Sequence, residues 1–192
     1  MEINWIKMLK REDIPNLISV LRIFMSVPVV WMLLEQQFGV ALVLFAVAGI
    51  SDGLDGYLAK HYGWQSQLGG LLDPLADKVL LVSSYLTLAL IGIIPVWLVL
   101  LVILRDLIIV TGALVYHFRV MELDAHPSMI SKINTFSQIV LVLAVVLDKG
   151  LVPLAGWLID GMIWVVLITT VASGVNYVWV WSRLAMDHHK AP

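Results

Sequence analysis

Six long apolar runs limit what this chain can fold into, at about 15–34, 39–60, 67–91, 95–118, 129–148 and 155–182. Each suits a helix of roughly 20 residues, the length that crosses the ~30 Å hydrocarbon core of a bilayer. The breaks between them are short: EQQFG, KHYGWQS, GIIP, RVMELDAHPS and DKGLVPLAG. Gly or Pro punctuates most of them. Of the 192 residues, 60% are hydrophobic and 14% charged, against roughly 45–50% and 25% in a soluble domain. That surplus is more than one soluble core needs, so lipid is the expected solvent. The expected fold class is all-α, an integral membrane bundle of six transmembrane helices. The whole chain, 1–192, reads as one domain, with the bundle over 15–182 and a polar tail over 183–192. No internal repeat or linker is evident.

Lys and Arg give the expected orientation. Lys7, Lys10, Arg11, Lys60, Arg119, Lys132, Arg183 and Lys190 fall on one side of such a bundle. The other side has Lys149 with Glu35, Asp148 and Asp160. Both termini are therefore expected in the cytoplasm. Trp31, Trp97 and Trp157 fall near the outer helix ends and Trp64, Trp179 and Trp181 near the inner ends, as interfacial aromatic belts require. The N-terminal stretch has no apolar core and cleavage site of a signal peptide. Residues 2–12 place Trp5, Met8 and Leu9 on one face and Lys7, Lys10 and Arg11 toward the other. This predicts an interfacial amphipathic helix. A net charge of −2 gives no argument for nucleic acid, and the absence of Cys excludes disulfides and thiolate metal sites.

Against this background, four aspartates at 52, 55, 73 and 77 demand a reason. Helical spacing puts Asp52 and Asp55 on one face of the second run, and Asp73 and Asp77 on one face of the third. The short connection between the runs makes them antiparallel neighbours, so the two pairs can converge. Four ionised carboxylates repel strongly, so protons or cations must offset them. Oxygen donors of this kind suit hard divalent ions. A lone Asp could be a helix-end residue in water, but four at this spacing inside spans point to function. Gly53, Gly56, Gly63, Gly69 and Gly70 lie around them. They allow either close helix packing or the approach of a flat ring or pyrophosphate to the backbone. Pro74 removes an amide and predicts a local kink.

The spacing Asp52-x2-Asp55-Gly56-x2-Ala59-Lys60-x8-Gly69-x3-Asp73-x3-Asp77 resembles the signature of the CDP-alcohol phosphotransferase (CDP-alcohol phosphatidyltransferase) family. Every position matches in type except Lys60, where the family usually has Arg. Lys keeps the charge but loses the two-pronged grip on phosphate. The resemblance implies a membrane enzyme of phospholipid synthesis that passes the phosphatidyl group of CDP-diacylglycerol to an alcohol, with CMP leaving. It implies two Mg²⁺ or Mn²⁺ ions per active site, the first on Asp52, Asp55 and Asp73 and the second on Asp73 and Asp77. Asp77 would be the catalytic base. CDP would meet Asp52, Gly56, Ala59, Lys60 and Gly69. The same resemblance implies a homodimer, and a multi-pass protein of the bacterial inner membrane with a cytoplasmic active site.

Three other stretches bear on the acceptor. Asn16, Ser19 and Arg22 lie on or near one face of the first run, Arg105-Asp106 lies inside the fourth, and Ser131, Lys132, Asn134, Thr135 and Gln138 open the fifth. Arg105 could form an internal ion pair that holds the bundle, or an anion pocket. Within the family, Arg105-Asp106 and Ser131-Lys132-x-Asn134-Thr135-x2-Gln138 resemble the CMP-forming cardiolipin synthases. That implies phosphatidylglycerol as acceptor, bound by Arg105, Ser131, Lys132 and Asn134. Phosphatidylglycerophosphate synthases, which take glycerol 3-phosphate, are the alternative. They tend to carry a second Arg in the fourth run and a second Lys in the fifth. A cation or proton transporter is a rival use of intramembrane aspartates, favoured by Gly-broken helices in two related halves. Here all four lie within residues 52–77. An aspartate-dependent prenyltransferase would need more spans and two separated Asp-rich motifs. His61, His117, His126, His188 and His189 read as solvated, because a hard-ion site has no need of imidazole.

Overall fold

The computed structural model describes residues 14–62, 67–120 and 128–188. They form α1 (Ile14–Leu34), α2 (Phe38–Tyr62), α3 (Gln67–Leu90), α4 (Val96–Val120), α5 (Met129–Gly150) and α6 (Gly156–His188). No strand occurs among the described residues, so the all-α expectation is met. Among the described residues, four segments are long and apolar enough to cross a membrane: Asn16–Leu34, Phe38–Leu58, Met129–Gly150 and Gly156–Val180. The interfacial helix expected at 2–12 lies outside the described residues. α3 is helical throughout, so Pro74 does not interrupt it.

The helices turn their apolar side chains outward. Leu17, Leu21, Phe24 and Trp31 of α1 and Trp164, Ile168 and Val175 of α6 are exposed, while Ser19, Arg22, Ser26, Asn134, Gln138, Thr170 and Ser173 are buried. A water-soluble protein would not expose so much contiguous apolar surface. Lipid makes that surface favourable and leaves the interior as the place where polar groups find partners.

The chain divides into two compact units. The first holds α1, α2 and α3, with 146–153. Here α1 packs against both α2 and α3. Ala41, Ala48 and Ala76 are buried, and such small residues bring helix backbones close together. The turn from α1 to α2 closes on Gln36 in the left-handed region, φ 57°. Its amide donates to the Leu33 carbonyl at 3.1 Å, and that of Gln37 to Met32 at 2.8 Å. This is a Schellman closure, which satisfies the last carbonyls of the helix. Gly150 lies directly against this end of α2: a β-carbon there would stand 2.8 Å from the Gly39 nitrogen and 2.9 Å from the Phe38 carbonyl carbon.

In the second unit α4 packs against α6. Leu98, Val99 and Val102 are buried, as are Ile163, Val166, Thr170 and Ser173. Gly92 stands before α4 with φ +77°, a conformation that glycine adopts without strain.

Candidate functional site

The aspartates of α2 and α3 meet on α1. Arg22 reaches Asp52 Oδ1 at 2.5 Å and Asp77 Oδ1 at 2.6 Å through one guanidinium nitrogen. Its other terminal nitrogen reaches Asp55 Oδ2 at 2.5 Å. One turn earlier on α1, the Ser19 hydroxyl donates to Asp73. Ser19 and Arg22 are three apart, which on a helix means one face. Four carboxylates from two helices are thus gathered by two side chains of a third. The convergence predicted from spacing is present.

Burial gives the cluster a dry back and an open front. Arg22 is 1% exposed and Asp55 2%, whereas the Asp52 and Asp77 side chains are 45% and 51% exposed. Arg22 Nε has no hydrogen-bond partner among the described residues. A β-carbon added at Gly53 or Gly56 would meet nothing within 4 Å. The glycines therefore leave open space beside the carboxylates instead of letting a neighbouring helix close in. Ala59, Lys60 and Gly69 lie outside the residues whose side chains are described.

A second polar cluster sits in the other unit. Arg105 is buried. It donates to Asp106 at 2.7 Å, to Ser131 at 2.5 Å, and twice to Ser173 at 2.6 and 3.1 Å. Its guanidinium carbon lies 5.9 Å from the centroid of the Tyr177 ring, within cation–π range. Asn134 Oδ1 accepts from Thr169 at 3.0 Å and Thr170 at 2.9 Å, while its Nδ2 has no partner among the described residues. Of the expected acceptor residues, Arg105 and Ser131 come together and Asn134 turns to α6. Lys132 is exposed and makes no described contact with the Arg105 cluster. An open groove of about 520 Å³ runs along α4 and α6, lined by Leu101, Leu104, Arg105, Ile108, Gly174 and Val178.

Sequence reasoning placed Ser19 and Arg22 with the acceptor and missed their hold on the carboxylates. A signal was present: a guanidinium inside a 21-residue apolar helix must find a counter-charge. Ser173 and Tyr177 were also missed, and a serine or tyrosine in an apolar helix offers no such signal.

Residues 12–175 match the family model for CDP-alcohol phosphatidyltransferase. Rat cardiolipin synthase (CMP-forming) is 37% identical over 147 residues, 68% of this chain and 49% of that protein. A probable phosphatidylglycerophosphate synthase of Mycobacterium tuberculosis is 34% identical over 181 residues, 88% of this chain and 82% of that protein. The rice chloroplastic CDP-diacylglycerol–glycerol-3-phosphate 3-phosphatidyltransferase 1 is 34% identical over 184 residues, 86% of this chain and 56% of that protein. The chain spans about half the length of the mammalian relatives it matches. With its membrane-length helices, it is a multi-pass membrane protein. The family match covers most of the chain, and on that ground it belongs to the CDP-alcohol phosphatidyltransferase family.

Proposed function

We propose that the protein transfers the phosphatidyl group of CDP-diacylglycerol to phosphatidylglycerol, giving cardiolipin and CMP. The observation that carries the reaction class is the convergence of Asp52, Asp55 and Asp77 on Arg22, with Asp73 held by Ser19 one turn earlier on the same helix. The donor set is all oxygen and faces outward through two exposed members, the kind of donors Mg²⁺ or Mn²⁺ takes; among the described residues no three of these carboxylates yet stand close enough to hold one ion, so an ion would draw them together. Asp52, Asp55 and Asp73 would hold one ion and Asp73 and Asp77 a second. Bound there, the ions supply charge stabilisation for an in-line displacement at phosphorus. Gly53 and Gly56 leave room for the nucleotide. The acceptor hydroxyl oxygen forms a bond to the phosphatidyl phosphorus, the bond from that phosphorus to the CMP oxygen breaks, and Asp77 takes the hydroxyl proton. The exposure of Asp77 suits it to meet a group arriving from outside the helices.

For the acceptor, Arg105 would meet the phosphate, with Ser131 and Asn134 as neutral partners. A phosphate monoester carries nearly two charges and favours several cationic donors. Here one guanidinium, already offset by Asp106, faces an apolar groove. A singly charged diester with lipid chains suits that arrangement better. Glycerol 3-phosphate is the second reading, favoured by the greater coverage of the mycobacterial relative.

The remaining expectations belong to the same proposal: one domain of six spans, both termini and the site in the cytoplasm, a homodimer in a bacterial inner membrane. The deciding experiment supplies purified protein with CDP-diacylglycerol and either acceptor, following CMP release and resolving the lipid products by thin-layer chromatography. Cardiolipin from phosphatidylglycerol is expected. Product from glycerol 3-phosphate alone would replace this reading with the second.

A further inference from the structure

Arg22 belongs to α1, which supplies none of the aspartates, yet its terminal nitrogens are directed at α2 and α3. A single nitrogen touches Asp52 and Asp77, carboxylates of two different helices, at 2.5 and 2.6 Å. The guanidinium thus occupies oxygens that both assigned ions would need. The guanidinium is 1% exposed and its Nε has no partner among the described residues, so among them it is held in place chiefly by these carboxylates. Asp52 and Asp77 remain about half exposed, which leaves a route by which a small cation reaches the same oxygens. A dication and a guanidinium repel each other strongly at a few ångströms in a low-dielectric interior.

We propose that Arg22 and the divalent cations exchange places on Asp52, Asp55 and Asp77: the guanidinium is the cluster's resident counter-ion, and the incoming ions displace it. This rests on reading the aspartates as metal ligands. Arg22 is then a positioning residue. It keeps the carboxylates gathered against their mutual repulsion, and it sets the concentration at which metal enters. Once displaced, its donors are open to an anion such as a phosphate. The competing arrangement leaves the guanidinium where it is, with ions on the other oxygen of each carboxylate. Arg22 would then help to hold the site for the ion, and its loss would weaken binding.

Mn²⁺ titration of the full chain in lipid nanodiscs, with free Mn²⁺ read by electron paramagnetic resonance, separates the two. Arg22→Gln is expected to bind Mn²⁺ about tenfold tighter or more than the wild type, because a competing cation has gone. Its thermal stability without metal is expected to fall, and Mn²⁺ is expected to restore more of it than it adds to the wild type. Arg22→Lys, which keeps one charge at a single point, is expected to shift affinity in the same direction by less. It reads the exchange even if Arg22→Gln does not fold. Unchanged or weaker Mn²⁺ binding by the variants, beside saturable binding by the wild type, overturns the exchange and leaves the metal site standing. No saturable binding by wild type or variants overturns the metal reading itself, and the exchange with it.

Discussion

Asp55 and Asp52 both meet Arg22, but water reaches only one of them. Asp55 is 2% exposed and Asp52 45%. Removing Asp55 leaves the second terminal nitrogen of Arg22 buried without that partner, at about 1–3 kcal/mol or more for a charged group, whereas a half-exposed pair contributes about 0–1 kcal/mol. Asp55→Ala is therefore expected to lower unfolding stability several-fold more than Asp52→Ala, measured by thermal or denaturant unfolding in one detergent without added metal. Equal losses would mean that Arg22 does not depend on Asp55. Asp77 has a separate expectation. If it takes the acceptor proton, Asp77→Asn should keep CDP-diacylglycerol binding and lose ~10²–10⁴ in turnover, as removal of a general base does. Near wild-type CMP release would exclude that role. The four aspartates were legible in the sequence because helical spacing and short connections constrain carboxylates in an apolar chain. The hold of Arg22 and Ser19 on them was not, because it depends on how α1 packs across α2 and α3. Pairing at 33 and 55 residues' separation leaves no local pattern.

At the scale of the element, the six runs located the helices to within a residue or two at most ends, since a bilayer-length apolar run bounded by Gly and Pro has little freedom. α6 departs most, continuing to His188 beyond the expected end at 182. Polarity ends an apolar run but not a helix. Arg183, Leu184, Ala185 and Met186 are good helix formers, so the helix continues past its apolar segment. The helix ends also carry the clearest steric statement. A β-carbon at Gly150 would come within 2.9 Å of backbone atoms at Phe38 and Gly39, and backbone yields less readily than a flexible side chain. Gly150→Ala is expected to destabilise by about 1–3 kcal/mol, the typical cost of overpacking. Gln36 makes the opposite case. Its left-handed backbone at φ 57° strains an L side chain. Gln36→Gly should raise stability by up to ~1 kcal/mol, after the extra freedom of glycine in the unfolded chain is counted against it. Unchanged midpoints for both variants would show that neither helix end is tightly closed.

At the scale of the whole molecule, charge inside α3 and α4 raises the question of whether they too cross the bilayer. At 24 and 25 residues and ~1.5 Å of rise per residue, both are long enough for a ~30 Å core. Three of their ionisable groups have described partners: Asp73 meets Ser19, Asp77 meets Arg22, and Arg105 meets Asp106, Ser131 and Ser173. A paired charge facing other helices is the form in which ionisable residues occur in membrane spans. Six spans would fix the sidedness of every connection. The turn at Gln36 and the α5–α6 connection at Val152 would belong to one face, and the end of α2 at His61 to the other. The excess of Lys60, Arg119, Lys132 and Arg183 would make that second face the cytoplasmic one. The sequence has no cysteine, so single-cysteine variants report without background. Gln36→Cys and Val152→Cys are expected to react with an impermeant maleimide in right-side-out vesicles, and His61→Cys only after the vesicles are inverted or opened. His61 is exposed and stacks on Tyr57 at 5.4 Å between ring centroids, so the cysteine replacing it stands on an accessible surface. Labelling of Gln36→Cys on the same face as His61→Cys would remove α2 from the spans. Labelling of Gln36→Cys and Val152→Cys on opposite faces would leave an odd number of crossings between them and end the six-span reading.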